Sequence, residues 1–445
     1  MGSQVIAARR RHRPATSLAV LLVVLGALWV GAGPASAHGG LVGSDPDDGS
    51  VVARAPSRVT LTFDGRVQLT AREVVVSDSG GRPVGSSTST DGPEVVVTLT
   101  DPAALADGTY TVAWSVLSDD GHPQSGALRF SIGFASPTVT PPPTPGASSR
   151  LVTSTRDVVT ALSLLGLLVA AGLALFTALV LPASWPGTDV RVRVRQLTTY
   201  AAGLGAAGVV LQVPIASVYA QEQELSSLAS GFAAWLVGKE MLAAAVTVAG
   251  LGVIVTAATE GPPTRARSRW LAGGALLALC GPPLVGHSRS AVPTSLLLAA
   301  DALHLAAGAI WIGGLLGLAL ALRALSGREV LAARTLARFS SLAGGVLVVV
   351  ATTGAFQAWR IVGSWSSLVG TTYGWLLLTK VALVLGVAAL GAWNRWRLLP
   401  DVVSAAGFGD RRRAATAVTR TVRVEALVLG LAIGVTGFLV GQAPG

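Results

Sequence analysis

Five histidines occur in the 445 residues, and four of them form two groups whose neighbours suit metal-ligand chemistry. His38 follows Ala35-Ser36-Ala37, a sequence of small residues that a signal peptidase would cut after Ala37. That cut makes His38 the first residue of the mature chain, so its free amine and its imidazole Nδ1 can close a chelate ring on one ion. Copper(II), which favours nitrogen-rich tetragonal sites, gains most from such a ring. His122 lies in Ser118-Asp119-Asp120-Gly121-His122-Pro123. Asp120 and His122 are two apart and project to one side of an extended backbone. With His38 they offer three nitrogens and one oxygen, a set that fits Cu(II) better than zinc or Cu(I). Taken alone, Asp-Gly is also a common turn dipeptide.

The second group is His287, Asp301 and His304. Asp301 and His304 are i and i+3, hence on one helical face. Both lie in an apolar stretch, and ionisable groups inside a bilayer cost at least about 2 kcal/mol each, so they tend to line ion paths. The alternative is an Asp-His pair that only fixes helix packing. No GxxxxGK[ST] phosphate loop occurs, which argues against ATP-driven pumping by this chain.

These residues must be positioned by two very different parts of the chain. Arg9, Arg10, Arg11 and Arg13, followed by the apolar run Leu18 to Val30, read as a signal peptide over residues 1–37. Residues 38–135 contain short Val- and Thr-rich runs separated by Gly, Pro and Asp clusters: Arg58 to Phe63, Glu73 to Ser77, Glu94 to Thr100, Thr109 to Leu117 and Ala127 to Ile132. This pattern predicts a small all-β, immunoglobulin-like sandwich. Twelve Asp or Glu stand there against six Arg, which suits a cation-handling domain and equally an ordinary solvated surface. Residues 136–153, with Pro141-Pro142-Pro143, read as a Pro-rich linker that tethers the sandwich above a membrane.

The remainder, 154–442, reads as an all-α polytopic membrane domain. The chain is 51% hydrophobic and only 13% charged, with mean hydropathy +0.61, too apolar for soluble domains alone. Eight spans are expected, at 157–181, 198–219, 239–258, 270–286, 295–321, 338–359, 374–394 and 424–441. Arginines cluster in alternate loops: Arg191 to Arg195, Arg265 to Arg269, Arg323 to Arg334 and Arg395 to Arg413. That alternation predicts both chain ends outside and explains the net charge of +10 without nucleic acid. Lys239, Glu240, Lys380 and Glu425 read as interfacial side chains that snorkel to the headgroups. Gly313-Gly314 reads as a close helix contact. The single cysteine, Cys280, excludes an intrachain disulfide framework and reads as a packing residue.

Two stretches carry a family resemblance. His38-Gly39-Gly40-Leu41, Ser44-Asp45-Pro46, Val59 to Phe63, Asp107 to Trp114 and Ser118 to Gly126 resemble a CopC copper-binding domain. That resemblance implies a Cu(II) site at His38, Asp120 and His122. The two methionines, Met1 and Met241, leave no thioether Cu(I) site in the sandwich. Gly286-His287-Ser288 and Asp301 to Leu315 resemble the CopD membrane domain, as do Arg338-Phe339-Ser340, Thr353-Gly354, Tyr373 to Lys380, Asn394-Arg395 and Arg423-Val424-Glu425. This second resemblance implies copper movement across the cell (plasma) membrane, in partnership with the CopC part and not by an enzyme. His287, Asp301 and His304 are then a membrane copper path. The implied partners are copper ions, the lipid bilayer and further copper-handling proteins of open identity.

Other classes stay open at this point. A haem-bearing membrane reductase would need two axial ligands, and only His287 and His304 are available for one haem. A copper oxygenase would share the terminal histidine but not the Asp120 carboxylate. Sequestration or sensing of copper would need no transport at all.

Overall fold

Alternating burial in Arg58–Phe63 and Glu94–Leu99, with every second side chain inward, is the mark of strands that face a core on one side. The computed structural model describes residues 40–70, 74–118, 121–140, 150–181, 188–228, 238–258, 264–286, 293–324, 329–398 and 408–442. Ten strands lie among them: β1 Leu41–Asp45, β2 Val51–Val52, β3 Arg58–Phe63, β4 Val67–Leu69, β5 Val75–Ser77, β6 Pro83–Val84, β7 Ser86–Asp91, β8 Glu94–Leu99, β9 Gly108–Ser118 and β10 Pro123–Ile132.

One sheet has the order β1-β3-β8-β7, and the other β2-β10-β9-β5-β6 with β4 on β9. Val59, Leu61, Val95 and Val97 of the first meet Val76, Val112, Val116 and Phe130 of the second in one core. Phe63 and Trp114 bridge the sheets edge to face, with ring centroids 5.1 Å apart. The result is a two-sheet sandwich, as the alternating runs predict, but it is not specifically immunoglobulin-like. Several of its edge strands are only two or three residues long, too short to leave a periodic signal in the sequence. Residues 136–140 fold back on the sandwich: Thr109 N donates to Ser136 Oγ at 2.9 Å and Thr140 N to Ser79 O at 2.9 Å.

The helices are α1 Arg150–Leu179, α2 Thr188–Ala220, α3 Lys239–Ala257, α4 Arg265–Leu279, α5 Thr294–Ala324, α6 Glu329–Val362, α7 Trp365–Gly370, α8 Thr372–Trp393 and α9 Phe408–Val440. Seven of them, α1, α2, α3, α5, α6, α8 and α9, are long and apolar enough to cross a membrane. The expected span at 270–286 is the exception. Its helix, α4, stops at Leu279, and Pro282 and Pro283 turn the chain into a 3-10 helix because a proline ring cannot continue the backbone ladder. Cys280 caps α4 and is exposed, not packed.

α1 is the axis of the bundle, with Leu167 to Phe176 buried and α2, α4, α5 and α9 packed around it. Trp359, Trp365 and Trp375 are exposed at the end of the bundle that carries the sandwich, and Trp270, Trp393 and Trp396 at the other. Two such girdles are what amphipathic indole rings form at the two faces of a bilayer.

Candidate copper sites

β9 and β10 are one antiparallel hairpin, in register from Pro123 opposite Leu117 to Ile132 opposite Gly108. Its turn holds the first candidate site. Ser118 N donates to His122 O at 3.1 Å, and Gly121 N to Ser118 O at 2.9 Å. Gly121 sits at φ +87°, a left-handed conformation that a Cβ would strain, which is why Asp-Gly-His turns the chain there. β4 pairs with the end of β9, Val67 opposite Ser118, and Asp64 N donates to Gly40 O at 3.0 Å. The start of β1 therefore reaches the same end of the sandwich as the turn. His38 and Asp120 lie outside the described residues, as does His287. Among the described residues no three His, Cys, Asp or Glu side chains gather as a metal site.

His122 is only 6% exposed, and it lies against the helical domain. Its ring meets Tyr219, near the end of α2, edge to face with centroids 6.2 Å apart. The guanidinium of Arg156 lies 3.7 Å over the Tyr219 ring, a cation–π contact, and its Nε is 3.6 Å from Asp157 Oδ1. Arg156 also donates to the Gly441 carbonyl just past α9. The sandwich is thus seated on the bundle and not held away from it.

The second site is built from three helices. Asp301 and His304 share one face of α5, Thr353 and Gln357 one face of α6, and α8 contributes Tyr373 and Lys380. His304 Nδ1 and Thr353 Oγ1 are 2.9 Å apart, and Thr353 Oγ1 donates to Val349 O at 2.6 Å. With the hydroxyl proton directed to that carbonyl, Thr353 Oγ1 can accept from His304 Nδ1, and the pair fixes the orientation of the ring. Gly354 makes room for the ring, since a Cβ there would stand 3.2 Å from His304 Cε1. Gln357 Nε2 donates to Asp301 Oδ1 at 3.4 Å. Lys380 acts electrostatically on both Asp301 and His304. At about 1.5 Å per residue, His304, Thr353 and Lys380 all lie roughly 12–15 Å from their helix ends on the sandwich side.

Thr353 is a partner that residue type alone could not rank, because threonines are common in apolar helices; its sequence signal is only its place beside Gly354. Thr353→Val is expected to lower copper affinity of the helical domain by about tenfold, the usual effect of losing a group that orients a ligating histidine. Unchanged affinity of the purified protein would remove Thr353 from the site.

At the opposite end, Glu425 departs from the snorkelling expectation. It is 4% exposed and accepts a hydrogen bond from the Asn394 amide, whose oxygen accepts from Thr421. Asn394 opens a π-helical turn, Asn394–Leu398, that follows directly on α8. The sequence had no signal for this, because Asn394 and Glu425 are 31 residues apart and meet only when α8 and α9 pack.

A β-sandwich with a buried hairpin histidine, seated on a helix bundle with an Asp-His pair in its apolar interior, defines a copper-handling membrane protein once its relatives are set beside it. The family model described as CopC domain matches residues 41–133, and that described as Copper resistance protein D matches residues 333–439. The chain belongs to the CopC/CopD copper-resistance family, with both domains on one polypeptide. It is 26% identical over 430 residues to Copper transport protein CutJ of Bacillus subtilis (strain 168), covering 92% of this chain and 74% of the relative. It is 32% identical over 119 residues to Copper resistance protein C of Xanthomonas campestris pv. juglandis, 25% of this chain and 91% of that one. A crystal structure of CopC from Methylosinus trichosporium OB3b aligns with 23% of this chain and 100% of its own at 31% identity and a TM-score of 0.20. Copper-related membrane function and a multi-pass membrane location follow from the family and its apolar helices.

Proposed function

We propose that the sandwich captures Cu(II) outside the cell membrane and hands copper to the helical domain for import, serving copper homeostasis or resistance. His38, Asp120 and His122 hold the ion, and His287, Asp301 and His304 receive it. The observation that supports this reading best is the seating of His122 on the same end of the bundle that holds Asp301 and His304. Joining donor and acceptor on one chain raises their effective concentration to about the millimolar range and fixes their geometry. Residues 1–37 act as the cleaved signal peptide, 38–135 as the CopC-like domain and 154–442 as the CopD-like domain; of the linker expected at 136–153, the residues from Arg150 onward already belong to α1. α4 and the turn to Gly286 supply an eighth crossing, which places both chain ends outside in agreement with the arginine alternation. No covalent chemistry enters, so the chain is a transporter and not an enzyme.

Cellular copper content tests it. His304→Ala and His287→Ala are each expected to cut copper-dependent uptake at least fivefold with the protein still in the membrane. Uptake at the wild-type level in both variants would end the transfer reading.

A further inference from the structure

The seam between sandwich and bundle contains a carboxylate that neither copper site uses. Asp157, in the second turn of α1, is 4% exposed. Its Oδ1 accepts no hydrogen bond among the described residues, because the Arg156 Nε at 3.6 Å is too distant to donate one. A buried carboxylate oxygen offset only by a loose ion pair is costly, and it persists where something else takes up its lone pair. Asp157 is also within electrostatic reach of His122 across the seam. The backbone of Gly441 closes over the carboxylate so tightly that a Cβ at Gly441 would overlap Oδ1.

Arg156 is anchored independently of Asp157. It stacks on Tyr219 and donates to the Gly441 carbonyl, so it can hold its place when the carboxylate turns to another cation. Below this point the end of α9 continues inward: Leu439 packs with Tyr373, and Tyr373 feels the charge of Asp301. A carboxylate oxygen suits Cu(II).

We propose that Asp157 is a relay ligand, the first helical-domain group to take Cu(II) as it leaves His122, with Arg156 as the tethered cation it exchanges for the metal. This rests on the reading of His122 as a copper ligand. The ion moves as Cu(II), from one set of ligands to the next, and no electron transfer is involved.

The test uses the mature full-length protein in liposomes that enclose a copper-responsive dye, with Cu(II) supplied outside. Asp157→Asn is expected to slow dye response at least tenfold while equilibrium Cu(II) binding, read by electron paramagnetic resonance, stays within twofold of wild type. Asp157→Glu should restore at least half of the rate. Arg156→Gln supplies a readout independent of flux: with the competing cation gone, Asp157 should join the Cu(II) coordination and shift the resonance parameters. The Arg156→Gln/Asp157→Asn double variant should show no such shift. Wild-type flux in Asp157→Asn, or identical spectra for the single and double variants, would overturn the relay. Retained binding and flux in His122→Ala would instead overturn the copper-site reading on which the relay stands.

Discussion

A single extra residue left ahead of His38 is expected to weaken Cu(II) binding to the sandwich by more than 100-fold, with Asp120 and His122 intact. The reason is covalent. With a preceding residue, the His38 amine becomes a peptide nitrogen, and the two-nitrogen ring on the ion cannot form. Losing a group that merely orients a ligand costs about 10–100-fold, and losing a ligating nitrogen together with its chelate ring costs more. The free amine has a pKa of about 7.7–8, so it sheds its proton on metal binding near neutral pH, and the affinity should fall as the pH drops towards 6. Isothermal titration of the processed and extended forms against a competing chelator measures both effects. Equal affinity in the two forms would show that the amine is not a ligand. The fold itself should not change, because β1, which pairs with β3, starts only at Leu41.

The second large effect concerns the helix crossing that holds the membrane site. A Cβ on Gly313 of α5 would overlap the backbone of Gly172 of α1, and a Cβ on Gly172 would overlap the Ala309 carbonyl. Here backbone meets backbone, so no side chain can swing away, and the helices must separate. Gly313→Ala is expected to cost about 1–3 kcal/mol, and Gly313→Val more. In detergent this should appear as a fall of several degrees in Tm, together with reduced copper uptake, since α5 also carries Asp301 and His304. Gly308 is the internal control: it lies on the same helix, and nothing stands within 4 Å of the position its Cβ would take. Gly308→Ala should be neutral or slightly stabilising. Equal Tm values for Gly313→Ala and Gly308→Ala would refute the close crossing.

Much of the architecture was legible in the chain because it rests on periodicity. The strands at Arg58, Glu94 and Gly108 announce themselves by alternating apolar residues, and the spanning helices by their apolar length. The close contact at Gly313 was legible as well, from two small residues in an apolar helix. The seventeen-residue apolar run at 270–286 was not, because hydropathy does not register where the helix ladder is broken, and Pro282 and Pro283 break it. Glu425 shows the same blindness in another form. A lone carboxylate near a helix end reads as interfacial until a partner 31 residues away, Asn394, is seen to receive it.

By itself, then, the sequence singled out candidates by residue type and spacing: His38, Asp120 and His122 as one set and His287, Asp301 and His304 as another, of which the described residues His122 and Asp301/His304 fall on the β-sandwich and on an apolar helix. These follow from residue type and local spacing, which the covalent chain fixes. Only the tertiary structure decided what those residues face. It set His122 against Tyr219, placed Thr353 on the Nδ1 of His304, brought Lys380 to Asp301, and left Asp157 buried at the seam. Each of these partnerships joins residues tens of positions apart or on different domains. They form because helices packed through glycine and a sandwich seated on a bundle bring them together, and no local pattern encodes such distances.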